Sequence, residues 1–83
     1  MSEIIRFIMN EKALKMAESE NKIVAIVDLG LNKRKIKELI EKTYGMKVEK
    51  VNTLISTKTE KKAIIKLAQG FSAIDFYAKI GLL

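Results

Sequence analysis

One stretch, KIVAIVDL at residues 22–29, limits the possible fold more than any other. It is rich in β-branched residues, which suit a strand. Strand side chains alternate between two faces. Here Ile23, Ala25, Val27 and Leu29 take one face, and Val24 and Ile26 take the other. A strand that is apolar on both faces is covered on both faces. Helices are therefore expected on each side of a sheet, which excludes a two-layer fold with one wet face. The 83 residues suit one domain, residues 1–83. Folding of a chain this size buries about 63% of the unfolded surface.

The remaining segments supply the other layers. Residues 4–9 are short and apolar, the pattern of an edge strand. Asn10 is placed to cap a helix through EKALKMAES, with Glu11 in the first turn, where the macrodipole favours an acid. Asn32 caps the next helix and Gly45 ends it. Ile36, Leu39, Ile40 and Tyr44 form one apolar stripe along it. Residues 46–55 and 61–68 read as two strands joined by a short turn, STKTE. In the later strand Ala63, Ile65 and Leu67 alternate with Lys62, Ile64 and Lys66, so one face is apolar and the other mostly basic. In the earlier one, Met46 and Val48 share one parity, and Val51, Thr53 and Ile55 the other. That slip predicts a bulge near Glu49 and Lys50. Ser72 and Asp75 have the spacing of a capping box, Phe71 and Phe76 hold the staple positions, and Gly81 closes the last helix. The predicted order is β-α-β-α-β-β-α. The expected class is α+β: a small three-layer α/β/α sandwich with a mainly antiparallel four-stranded sheet.

The net charge of +6 is concentrated in the middle of the chain. Residues 32–66 carry eleven basic side chains against four acids, whereas the rest carries five against six. This asymmetry points to a polyanion, either nucleic acid or an anionic membrane. A solvated lysine-rich surface is the plainer alternative. Cysteine and histidine are absent. That removes disulfides, a thiol nucleophile and a histidine base, and leaves a zinc site without its usual ligands. The sequence has no glycine-rich phosphate loop, and no apolar run approaches the roughly 20 residues of a membrane span. Glu3 and Arg6 interrupt the apolar start, unlike a signal peptide. The expectation is a cytoplasmic, soluble, non-enzymatic protein, without cofactor, metal or membrane insertion and with no need of a second copy.

The nucleic-acid reading can be narrowed. A sheet that stacks single-stranded bases needs aromatic residues in its strands. Tyr44, Phe71, Phe76 and Tyr77 lie on or beside helices, Phe7 lies near the N-terminus, and no central strand carries an aromatic. These rings read as core. What remains is lysine–phosphate contact, with hydroxyl or amide contact to sugar and backbone, as in recognition of a structured RNA by shape. Lys33, Arg34 and Lys35 crowd the first turn of a helix, where the macrodipole is already positive. Folding gains nothing from this, and departures of that kind tend to mark function. A phosphate there would meet free N–H groups and three cations together; a tolerated exposed cluster is the alternative.

Several stretches resemble one known family in order and spacing. They are NEKA at 10–13, NKRKIKELIEKTYGMKVEKVNTL at 32–54, KKA at 61–63 and KIG at 79–81. The family is that of large-subunit ribosomal protein L twenty-three, and the resemblance covers nearly the whole chain. VNTL after a lysine-rich helix is a fairly specific element, whereas EKA alone is a weak one. The resemblance implies a structural constituent of the large ribosomal subunit. Such a protein binds domain III of the large-subunit rRNA beside the nascent-peptide tunnel exit and neighbours other large-subunit proteins. It also helps dock the signal recognition particle and nascent-chain chaperones. In the family's VNT element the asparagine and threonine face rRNA, which implies Asn52 and Thr53 as contacts here. Lys58, Lys61, Lys62 and Lys66 of the hairpin would neutralise phosphates, together with Lys12, Lys33, Arg34, Lys35 and Lys37. Glu11 matches the family's docking glutamate. Asn10 stands where the family usually has Thr or Ser, and no proline precedes it. The short STKTE turn stands where bacterial members carry a long basic loop, so the chain is similar to the archaeal and eukaryotic kind, without implied tunnel lining. Two other readings stay open: a basic protein coating nucleic acid at no fixed site, and a small phosphate-ester enzyme, which lacks a candidate active-site loop.

Overall fold

A computed structural model of the chain describes residues 4–55 and 58–83. Its elements are β1 (Ile4–Ile8), α1 (Glu11–Glu20), β2 (Lys22–Asp28), α2 (Lys33–Tyr44), β3 (Val48–Ile55), β4 (Glu60–Leu67) and α3 (Ala73–Lys79). This is the predicted order, an α+β fold built on an antiparallel four-stranded sheet. Glu3, and Ser56 and Thr57 of the expected turn, lie outside the described residues.

The helices start and stop where side chains satisfy their free backbone groups. Asn10 Oδ1 accepts from the Ala13 N–H at 2.8 Å, Asn32 Oδ1 from Lys35 N–H at 2.8 Å, and Ser72 Oγ from Asp75 N–H at 3.1 Å. Each bond removes one orphan donor, worth about 1 kcal/mol. α2 ends on Gly45 in the left-handed region at φ 68°, where glycine has no Cβ to clash. α1 ends on a left-handed Asn21, φ 55°.

The sheet order is β1-β2-β4-β3, so β2 and β4 are central and β3 is an edge. Residues 23–27 of β2 are all buried, as an apolar strand covered on both sides must be. Residues paired directly across strands share a face. Ile23, Ala25 and Val27 therefore lie with Ala63, Ile65 and Val51 on one face. Ile36 and Ile40 of α2, and Phe76 and Tyr77 of α3, complete that core. Phe7, Tyr44 and Phe76 meet edge-to-face with centroids 4.9 to 5.7 Å apart, so the aromatic residues are core, as expected. α1 lies across the other face, where Ala13 and Met16 adjoin Ile8 and Val24. The layers are helix, sheet and helix.

Two side chains hold α3 to the sheet. The Tyr77 hydroxyl accepts from the Val24 N–H at 2.8 Å. The Asn21 amide donates to Phe71 O at 2.6 Å and accepts from Ala73 N–H at 2.7 Å. The predicted bulge is present: Val48 pairs with Leu67 and Lys50 with Lys66, so Glu49 is the extra residue.

Candidate nucleic-acid interface

Strand register decides which charges act together. Three rows run across the face that carries α1. Leu54, Lys62, Ile26 and Arg6 form the first; Asn52, Ile64, Val24 and Ile8 the second; Lys50, Lys66 and Lys22 the third. α1 covers the β1–β2 half of this face and reaches β4 only at its rim, where Lys12 and Lys62 line one small cleft. The β4–β3 half lies open. There Lys62, Ile64 and Lys66 are half-buried, Lys50 is exposed, and Leu54 is 60% exposed. The Asn52 side chain has no hydrogen-bond partner among the described residues, and its amide is not sealed from solvent. Glu49, pushed out by the bulge, pairs with Lys66 at 3.2 Å. Arg6 pairs with Glu60 at 3.7 Å, while no ion pair is formed by Lys12, Lys50 or Lys62 among the described residues.

The other candidate residues lie elsewhere. Thr53 sits in the row of Ala63, Ala25 and Phe7, on the face opposite Asn52. The two side chains share only the free edge of β3. Lys61 also belongs to that second face, and its ammonium donates to Leu31 O at 2.8 Å, pinning the loop before α2. Lys33, Arg34, Lys35 and Lys37 are exposed on α2, across the sheet from Lys62 and Lys66. Arg34 and Lys35 both approach Glu38, at 3.5 and 3.9 Å. Those pairs soften the unfavourable charge at the helix start. Lys58 is exposed in the turn between β3 and β4. Glu11 is exposed at the start of α1, 4.0 Å from Lys15. The predicted cations thus form an open sheet-face group (Lys12, Lys62, Lys66) and an α2 group, and Lys61 is engaged in holding the fold. Lys50 belongs to the sheet-face group but is not among the cations that the sequence singles out. Its parity with Asn52 is the signal that would have found it.

The residue types of the open face, with the unpaired ammonium groups of Lys50 and Lys62, that of Lys66 shared with Glu49, an idle amide and two aliphatic side chains, suit contact with a polyanion. They offer no nucleophile–base pair. Comparison with known proteins agrees. The family described as "Ribosomal protein L23" matches residues 2–76. The chain is 51% identical over 80 residues to the large ribosomal subunit protein uL23 of Pyrobaculum aerophilum, covering 96% of this chain and 99% of the relative. It is 42% identical over 80 residues to uL23 of Caldivirga maquilingensis, covering 96% and 93%. The chain belongs to the ribosomal protein L23 family. Members are structural, non-enzymatic constituents of the large ribosomal subunit in the cytoplasm, so rRNA and neighbouring ribosomal proteins are its partners. The enzyme alternative falls with this match.

Proposed function

We propose that the chain acts as one rRNA-binding domain. It grips domain III of the large-subunit rRNA beside the tunnel exit and helps form the docking site for the signal recognition particle and nascent-chain chaperones. The observation that carries the rRNA part is the open β4–β3 half-face, where Lys50, Lys62 and Lys66 surround Asn52 and α1 reaches the rim at Lys62. Lysines there neutralise phosphates and release counterions, while the amide reads sugar or base. Lys12 extends the group from α1. Lys58 and the α2 cations Lys33, Arg34, Lys35 and Lys37 bind further phosphates, and Thr53 contacts RNA at the strand edge. Glu11, exposed at the start of α1, is the factor-docking residue.

The test is titration of the purified chain with a domain III transcript and with an unrelated RNA duplex. With about six phosphate contacts, affinity for the transcript falls roughly 10³-fold between 50 and 200 mM salt, taking the duplex-DNA slope. Asn52→Ala weakens the transcript complex more than the duplex complex. Equal affinity for both RNAs would favour the nucleic-acid-coating alternative. For the docking part, Glu11→Ala in purified large subunits weakens factor binding without loss of rRNA affinity; unchanged factor binding removes Glu11 from that role.

A further inference from the structure

We propose that the open half-face receives an unpaired nucleotide of the bound RNA, with its base lying on Leu54 and Ile64 and its edge or 2′-hydroxyl meeting the Asn52 amide. The inference rests on the rRNA reading and deepens it. Phosphate contact alone needs cations on a wettable surface. This face has something else at its centre. Ile64 is half-buried, Leu54 on the next strand is 60% exposed, and the two stand in adjacent rows. A regular A-form helix displays phosphates and 2′-hydroxyls to a protein and would leave that aliphatic surface uncovered. An unstacked base has an apolar face to lay on it.

The amide points the same way. Asn52 lies directly across from Ile64. It has two donors and an acceptor, and no partner for them among the described residues. A phosphate could accept from the amide but could not satisfy its carbonyl, whereas a base edge or a 2′-hydroxyl both donates and accepts. Lys62 and Lys66 flank the platform, four residues apart along β4, roughly 13 Å. They are placed to hold the backbone on either side of the extruded nucleotide. The platform is aliphatic, and β3 and β4 carry no aromatic residue, so it suits one base and not a continuous stack.

Base and phosphate contacts respond differently to salt, which makes the proposal testable with the domain III transcript. The double variant Asn52→Ala/Leu54→Ala should bind about tenfold more weakly at every salt concentration, with the salt slope unchanged. Lys62→Gln should lower the slope by about one ion. Ultraviolet crosslinking should join residues 51–58 to one nucleotide whose base reacts with dimethyl sulfate in free RNA and is protected in the complex. The urea midpoint of the double variant checks that it folds; both side chains are on the open surface, so little change is expected. If the double variant binds as tightly as the parent while Lys62→Gln weakens binding, the face meets only phosphates, and the proposal is wrong while the rRNA reading stands. Protection of backbone without protection of any base would overturn the proposal in the same way. If the parent chain does not prefer the transcript to the unrelated duplex, both readings fall.

Discussion

β4 carries two adjacent lysines on its two faces, and they have different work. Lys61 turns toward the core side and donates to Leu31 O, fixing the approach to α2. Lys62 turns to the open side and forms no ion pair with the described residues. The same division runs along the strand. Ala63, Ile65 and Leu67 are buried beneath α2 and α3, whereas Ile64 and Lys66 keep part of their surface in water. One face of the strand holds the fold together, and the other is left partly open to water. Charge alone does not separate the two; strand parity and the position of α1 do.

The two faces should differ most at apolar residues. Ile65→Ala should cost 2 to 5 kcal/mol, through lost transfer energy and a cavity beneath α2. Leu54→Ala should stay within about 0.5 kcal/mol. Urea unfolding of the free protein measures both. Similar losses would mean that the open face is packed, and the contrast between the faces would be gone.

Tyr77 extends the test to a polar anchor on the packed side. Burial raises its phenol above the ordinary range, partly offset by the bond from Val24 N–H. The folded state therefore holds a proton that the unfolded state releases near pH 10. The stabilisation is complete below that pH and is lost as pH rises through the higher folded value. Tyr77→Phe leaves the Val24 N–H without its acceptor, at about 1 to 3 kcal/mol. It should also flatten part of the fall in stability above pH 10. Unfolding series at pH 8 and above, on parent and variant, check the sign; identical slopes would remove Tyr77 from the alkaline transition.

The lysine pair gives a smaller effect. Lys61→Met loses one charge-assisted bond in a half-buried setting, about 1 kcal/mol. Lys62→Met should unfold like the parent, yet bind the domain III transcript with a salt slope reduced by about one. A reversed pattern would reverse the assignment of the two faces.

Much of this division is legible in the sequence. The doubly apolar run at 22–29 requires cover on both sides, and the structure has α1 on one face and α2 and α3 on the other. Asn10, Asn32, Ser72 and Gly45 declare the helix ends because capping is local chemistry. The parity break at Glu49 declares the bulge. What escapes depends on partners distant in the chain. Asn21 caps α1, which a local reading could find, but its bonds to Phe71 and Ala73 bridge about 50 positions. The Tyr77–Val24 bond is equally remote. The family element pairs Asn52 with Thr53 as contacts; being neighbours on a strand, they point to opposite faces. Lys61 shares its parity with Ala63, so its inward side is readable, though its acceptor on Leu31 is not.

The α2 cations give the smallest effect on stability and the finest test of whether charge outside the sheet face also serves binding. Lys33 and Lys35 each oppose the helix dipole by about 0.3 kcal/mol, given their exposure and screening by salt. Lys35 recovers a comparable amount from Glu38, 3.9 Å away, as an i,i+3 pair. Replacing both lysines with Gln relieves the first term and forfeits the second. The free protein should therefore unfold within about 0.5 kcal/mol of the parent, since Asn32 still caps the helix through the N–H of residue 35. Binding to the transcript should weaken, and its salt slope should fall by as much as about two, because the lost charges face away from every buried contact. Urea unfolding and transcript affinity measured side by side decide the matter. A clearly lower urea midpoint with unchanged affinity would assign the cluster to folding. It would also leave the open half-face as the principal cationic surface for rRNA.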